Sequence, residues 1–383
     1  MDNGPSRRYN GILPLLIPGC PYLMIDAYLI PIRYAFLSFP ILAFLFTLPF
    51  LIVQYRKYGY INKIRVLVIY SLLLYLLTAL YLVILPLPST RNTCTGLRET
   101  FMSFTPLQFV RDIVKETRVV PGDPATYLLL FKERAFLQAA FNVLLLVPLG
   151  AYCRYYFRFG FIGAVMAAFG LSLFFEVTQV TGLYGIYDCP YRLFDVDDLL
   201  LNTIGGMIGF IAAPLLMRLL PHADRLDEHI DLKSKQVGFT RRLVALQLDA
   251  ILLFPLLALF LRDRNVWMYL AICFGYFVLL PYVTNGRTVG KWIVRIRVKG
   301  QEERIRFMEL LIRYGLLYGI VGGVNAMLIG RAIQTLPPIA MVVCFFVAAL
   351  INLSFGVHVL PRLFGKEKTL IYERWSGTKH EIV

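Results

Sequence analysis

Charge is what this sequence has least of. Only 16% of its residues are Asp, Glu, Lys or Arg, against about a quarter in an ordinary soluble domain, and that shortage excludes a water-soluble globular fold. Its six cysteines are scattered, with no CxxC pair and no histidine beside them, which argues against a zinc site. The Gly286–Lys291 run lacks the GxxxxGK[ST] spacing of a phosphate-binding loop. The first apolar run, Ile12 to Ile30, is interrupted by Pro14, Pro18, Pro21 and Asp26, so no cleavable signal peptide is expected. There is no internal repeat, and nothing points to nucleic acid, haem, flavin or nucleotide. No cofactor and no metal are expected.

What is abundant is apolar length. The chain is 58% hydrophobic with mean hydropathy +0.65, and several runs reach the ~20 residues that cross a bilayer. An all-α polytopic membrane protein follows, with about nine transmembrane helices in two helical bundles. The spans fall near 35–54, 65–86, 135–157, 160–183, 198–217, 243–261, 265–282, 314–332 and 337–357. Residues 9–34 are apolar but rich in proline and read as an interfacial or re-entrant segment. The segment 88–134 is too charged to span and turns at Pro121-Gly122-Asp123-Pro124. Four divisions result: an N-terminal segment with an extra helix (1–64), a first transmembrane domain (65–217), a polar linker (218–237) and a second transmembrane domain (238–383). The net charge of +15 is best read as basic cytoplasmic loops rather than affinity for nucleic acid. Placing 55–65, 154–160, 218–243, 285–313 and the tail inside collects most of the Lys and Arg there. The C-terminus is then cytoplasmic and the N-terminus outside; if 9–34 spans, the N-terminus moves inside.

Ionisable groups inside this apolar chain are the main anomaly. Asn142 lies about 10 Å into its span from the outer surface at ~1.5 Å per residue. Glu176 and Gln179, three apart, share a face near the outer end of the next span. Asp195, Asp197 and Asp198 stand where the following span begins, with Asn202 four residues beyond Asp198 on the same face. Arg192 in the short loop is a candidate counter-charge, and Gly205, Gly206 and Gly209 permit close helix approach. An Asp at a helix centre costs about 2.5–3.5 kcal/mol on insertion scales, so the cluster reads either as a network that packs three helices or as a site for a polar ligand or lipid headgroup. Carboxylates without a histidine or a nucleophile motif make a poor enzyme signature.

In the second half, Arg242 and Asp249 are seven apart and so share a helix face about 10 Å apart. They form the polar pair of that domain, either structural or coupled to a substrate, and Asp249 needs a partner, for which Arg313 and Asn352 are candidates. Lys291, Arg295 and Arg297 suggest contact with anionic headgroups. The alternation from Ile293 to Val298 suggests a short amphipathic strand. Cys94 and Cys189 both fall outside in this topology; whether they are bonded or free stays open.

Four ordered motifs resemble those of the VanZ family. They are Asn142 through Pro148 to Gly150; Glu176 with Gln179; Arg192-Leu193-Phe194-Asp195-Val196-Asp197-Asp198; and Asn202-Thr203-Ile204-Gly205-Gly206. Ser103-Phe104-Thr105-Pro106-Leu107 resembles a further extracellular element of that family, and Leu149 departs from it where Phe is usual. The resemblance covers about 65–217. It implies a multi-pass protein of the bacterial cell membrane, linked to lowered susceptibility to lipid-tailed glycopeptide antibiotics such as teicoplanin, and it implies no reaction. The second half, about 238–383, resembles the RDD domain in Gly238 to Asp249, in Gly286 to Lys291 and in Arg313, with Glu373 where that family usually carries Asp. For that family transport or ion exchange has been suggested.

Three functions compete. One is outer-leaflet binding of a lipoglycopeptide or cell-wall lipid through Asn142, Glu176, Gln179, Arg192, Asp195, Asp198 and Asn202. Another is an enzyme or transporter acting on a lipid-linked cell-wall precursor, with Glu176 and Asp198 as acid or base. The third is helix packing alone. The expected partners are membrane lipids and such a ligand.

Overall fold

The computed structural model describes residues 21–94, 101–218, 236–263, 265–365 and 369–383. Among them are nine helices long and apolar enough to cross a membrane, as the hydropathy predicts. Large apolar side chains such as Leu37, Phe44, Ile162, Leu215 and Ile339 are exposed on these helices. Lipid tolerates that surface and water does not.

Helix α1 runs unbroken over Pro21–Lys57, so the expected break near residue 34 is absent. The candidate span begins at Leu29, so residues 29–34 belong to it instead of to an interfacial or re-entrant segment, and the first part of that expected segment lies outside the described residues. Pro31, Pro40 and Pro49 lie inside α1; membrane helices accommodate proline through local adjustment of the freed backbone groups. Helix α2 (Lys63–Ile84) starts at Asn62, whose Oδ1 accepts from the Ile64 and Arg65 amides at 2.9 and 3.4 Å. It stops one residue before Leu85, the residue preceding Pro86, where the helical conformation is disfavoured. The polar segment that follows holds β1 (Met102–Ser103) and a short amphipathic helix α3 (Gln108–Glu116). Then come α4 (Arg134–Tyr155), α5 (Phe161–Val180), β2 (Phe194–Asp195) and α6 (Val196–Met217).

The second half contributes α7 (Phe239–Asp263), α8 (Val266–Val283) and the short α9 (Val289–Ile293). Strand β3 (Ile296–Lys299) precedes α10 (Phe307–Ile329), α11 (Pro338–Phe364), α12 (Ile371–Trp375) and β4 (Lys379–Ile382). Strands β3 and β4 pair antiparallel, with Ile296 opposite Ile382. The strand expected from the alternation at 293–298 therefore exists, displaced toward 299 because Val289–Ile293 closes a helical turn.

The chain divides into two compact units, Met1–Leu45 with Asn62–His229, and Phe46–Ile61 with Ile230–Val383. The end of α1 thus groups with the second half. In the first unit the core is Leu146, Leu149 and Cys153 of α4 against Ala164, Ala168 and Phe175 of α5 and Ala79 of α2. In the second, Leu253, Phe277, Leu310 and Tyr314 form one cluster, and Tyr55, Val244, Val294 and Ile296 another.

Candidate functional site

Glycine sets the distance between α4 and α6. A Cβ on Gly205 would run into the Val143 carbonyl, one on Gly209 into the Val147 carbonyl, and one on Gly150 into the Gly206 carbonyl. The two backbones touch, and the rising register shows that they run the same way. That approach brings the polar beginnings of both helices together, and α5 delivers its polar end between them.

Three polar links form there. The Asn142 amide donates to Asp198 Oδ1. Glu176 Oε2 accepts the Asp195 backbone amide at 3.0 Å, which ties α5 to β2. Asn202 Nδ2 donates to Ser172 Oγ at 2.9 Å, and Asn202 Oδ1 is buried with no hydrogen-bond partner among the described residues. Glu176 and Asn202 are each 3% exposed, whereas Asn142, Asp195 and Asp198 are partly accessible. The layer has a buried floor and a reachable rim.

Two expected members also bond to the end of α2, and Arg192 lies close enough to Glu176 and Asp198 to act on them as a counter-charge. Gln179 Nε2 donates to the Val83 carbonyl at 2.9 Å, and an Arg192 guanidinium nitrogen donates to the Leu85 carbonyl at 2.9 Å. Both serve the carbonyls that the end of α2 leaves free. The Gln179 bond reads as structural, and Arg192 is partly accessible beside the rim. Asp195 also accepts the Asp197 amide at 3.0 Å. Burial pushes its carboxyl above the usual carboxylate range; that bond opposes the rise, and the Asp197 and Asp112 charges add to it.

Sequence reasoning missed Ser172, and it named Asp197 without giving it a role. Ser172, fully buried, bonds Asn202 and also reaches the Asp198 carbonyl at 3.4 Å; a single serine in an apolar helix gives no signal. Asp197 is a clamp: its carboxylate accepts the Leu107 amide at 2.6 Å and the Phe109 amide at 2.9 Å, at the start of α3. Strand β1 pairs in parallel with β2, Met102 opposite Phe194. The loop before α6 is fastened on its other side. Cys94 and Cys189 are disulfide-bonded, Thr93 Oγ1 donates to the Cys189 carbonyl at 2.5 Å, and Arg91 Nε to the Ile186 carbonyl at 2.9 Å. The rim is therefore a rigid element rather than a free loop.

In the second unit, the expected Arg242–Asp249 pair is not formed. Seven residues along one helix keep the two groups about 10 Å apart, and each finds another partner. Asp249 accepts Tyr276 Oη at 2.6 Å, Thr288 Oγ1 at 2.7 Å and the Gly290 amide at 2.7 Å. Neither candidate partner reaches it: Arg313 goes to Glu373, and Asn352 pairs with Asn325. Arg242 and Arg313 both bind Glu373, at 3.1 and 2.9 Å, and His380 Nδ1 stands 2.9 Å from the same carboxylate. Burial alone would raise Glu373, but the His380 hydrogen bond and the Arg313 and Arg242 charges hold it well below the carboxylate range. Burial and the Arg313 charge keep His380 well below its ordinary value, hence neutral. Lys291 is buried against the Phe277 and Tyr314 rings and Arg297 is paired with Glu381, so of the three expected headgroup cations Arg295 alone has a side chain without a partner among the described residues.

Fold and polar layer define a multi-pass integral membrane protein whose first unit gathers ionisable groups at one end of three spans. Residues 72–218 match the VanZ/LLP1 family. No curated protein matches, and no solved structure matches.

Proposed function

We propose that the first unit binds, in the outer leaflet, a lipid-tailed glycopeptide such as teicoplanin or a cell-wall lipid, and so lowers susceptibility to such antibiotics. The observation that carries the reading is the rim of Asn142, Asp195 and Asp198 over the buried Glu176 and Asn202, with one Asn202 oxygen unsatisfied. Packing alone needs no such spare acceptor, because a buried polar atom without a partner costs about 1–3 kcal/mol. A hydroxyl- and amide-rich headgroup supplies the missing donors, and its acyl tail rests against the lipid-facing helices. The polar layer lies within 72–218, the segment that matches the VanZ/LLP1 family.

A resistance assay tests it, comparing a lipid-tailed glycopeptide with vancomycin in cells carrying wild-type, Glu176→Gln and Asp198→Asn chains at equal protein level. The expected result is selective loss of protection against the lipid-tailed compound. Full protection in both variants would overturn it. If a radiolabelled lipid-linked precursor is instead converted, and Glu176→Gln abolishes the conversion, the layer is a catalytic or transport site. We read the second unit as RDD-like on Arg242, Asp249, Gly286 to Lys291, Arg313 and Glu373; support for that rests on these residues, since the family match ends at 218.

A further inference from the structure

The second unit contains a cavity of about 260 Å³ lined by Arg56, Arg287, Trp292, Arg295, Ile296 and Val383. Three of the six are arginines and no side chain among them is acidic; the one anionic group in the lining is the α-carboxylate of Val383, which forms no ion pair among the described residues. Other cations of this region are already spent. Arg241 donates to the Val294 carbonyl at 2.7 Å and to the Gly59 and Arg295 carbonyls at 3.0 Å. Arg297 and Lys299 share Glu381. Among the described residues, the guanidinium groups of Arg56, Arg287 and Arg295 have no ion pair or hydrogen bond. Arg56 instead lies over the Trp292 ring, 4.9 Å from its centre.

Three guanidinium groups without an ion pair, set against a single α-carboxylate, leave an excess of positive charge around the cavity that favours a further anion. The backbone is built to gather them. Arg295 has φ +55°, a left-handed conformation that a non-glycine residue adopts only when its surroundings impose it. Here the Arg241 guanidinium and the Val383 amide hold the Arg295 carbonyl, at 3.0 and 3.1 Å. Depth adds a second constraint. Arg56 is in the last turn of the span Leu29–Lys57, and Arg287 follows the end of the span Val266–Val283 by four residues. Trp292, 54% exposed, is the amphipathic ring favoured at the lipid–water boundary.

We propose that this cavity is a binding site for a phosphate-bearing anion at the membrane interface, with Arg56, Arg287 and Arg295 as the ligands and Trp292 as the apolar wall. Guanidinium forks match phosphate oxygens in pairs. The phosphate belongs either to an anionic phospholipid headgroup or to a soluble phosphate. The site is independent of the polar layer proposed for the first unit.

The three tryptophans of the chain allow a direct test. With Trp267→Phe and Trp375→Phe, Trp292 is the sole reporter in the full chain. It is reconstituted in phosphatidylcholine nanodiscs carrying either brominated phosphatidylglycerol or brominated phosphatidylcholine, and separately titrated with inorganic phosphate in phosphatidylcholine alone. Preferential quenching by the brominated anionic lipid identifies a headgroup, and a saturable response to phosphate identifies a soluble anion; either supports the site. Each single Arg→Gln change at 56, 287 or 295 weakens the response about fivefold, as expected for one cation near the surface. The combined Arg→Lys variant keeps the charge but loses the fork, so it falls well below wild type. The proposal fails if wild type responds to neither probe. It also fails if the Lys variant, or any single Gln variant with an unchanged melting temperature, responds as wild type does.

Discussion

Asn142 on α4 and Asp198 at the start of α6 bond to each other across 56 residues of sequence. They join the two helices whose backbones are already in contact through glycine. Asp198→Asn keeps an oxygen acceptor for the Asn142 amide, so the folded chain should lose little stability. Asn142→Ala and Asp198→Ala should each destabilise it, and their double-mutant cycle should show coupling of about 1 kcal/mol, the usual size in a membrane. Thermal unfolding in detergent measures all four species; strictly additive losses would mean that the two side chains do not act as a pair.

Gly205→Ala should cost more than its single methyl suggests. The new Cβ would meet the Val143 carbonyl, a backbone atom that cannot swing away. An overpacked interface typically costs about 1–3 kcal/mol. Gly170→Ala on α5, where a Cβ meets nothing within 4 Å, is the matched control and should be neutral or slightly stabilising. Equal melting temperatures for the two variants would contradict the contact.

Much of this was legible in the sequence because membrane helices announce themselves by length and hydropathy. All nine expected spans have a counterpart among the nine candidate helices, and spacing alone brought Asn142, Glu176, Asp198 and Asn202 to one level. What stayed hidden depends on direction rather than position. Three adjacent acids gave no sign that Asp197 faces the α3 amides while Asp198 faces Asn142. Ser172 carries no pattern at all. Arg242 and Asp249 do share a face, but a shared face at seven residues is too long a reach, and their partners come from Glu373 and Thr288, 131 and 39 residues away. Residues 29–34 were misread because proline breaks helices in water far more readily than in lipid.

The disulfide between Cys94 and Cys189 closes a loop of 95 residues. Removing a cross-link over such a loop frees the unfolded chain and typically costs about 2–4 kcal/mol. Cys94→Ser should therefore lower the melting temperature, and so should Cys189→Ser by a similar amount, with little added in the double variant. Wild type should migrate faster on a non-reducing gel than after reduction. Identical migration with and without reductant would show that the two thiols are free.

Asp197 is expected to matter for order in the segment before α4 rather than for ligand contact. Its carboxylate holds the Leu107 and Phe109 amides, and loss of such a cap costs about 0.5–2 kcal/mol. Asp197→Ala should speed tryptic cleavage at Arg111 and Lys115 on α3 while leaving the spanning helices protected. Unchanged cleavage would mean that β1–β2 pairing alone secures the segment.

Acid sensitivity of the second unit should begin with His380. Its folded pKa lies well below the ordinary value, so the folded state keeps it neutral while the unfolded chain takes up a proton below about pH 6.5. The unfolded state then binds more protons, and stability falls as pH drops through that point. Glu373 acts in the same direction at lower pH. Its folded pKa is depressed, so its contribution is complete above the unfolded carboxylate value of about 4.3 and is lost as pH falls below it. His380→Gln should flatten the melting profile between about pH 7 and 5 and leave the steeper loss below. Glu373→Gln removes the counter-charge of both Arg242 and Arg313, whose pairs with it are 3.1 and 2.9 Å long. Breaking a buried pair this way costs about 3–5 kcal/mol wherever the carboxylate is ionised in both states, above about pH 4.3, so this variant should melt early even at pH 8. A wild-type profile as flat as that of His380→Gln would show that His380 takes up no net proton on unfolding.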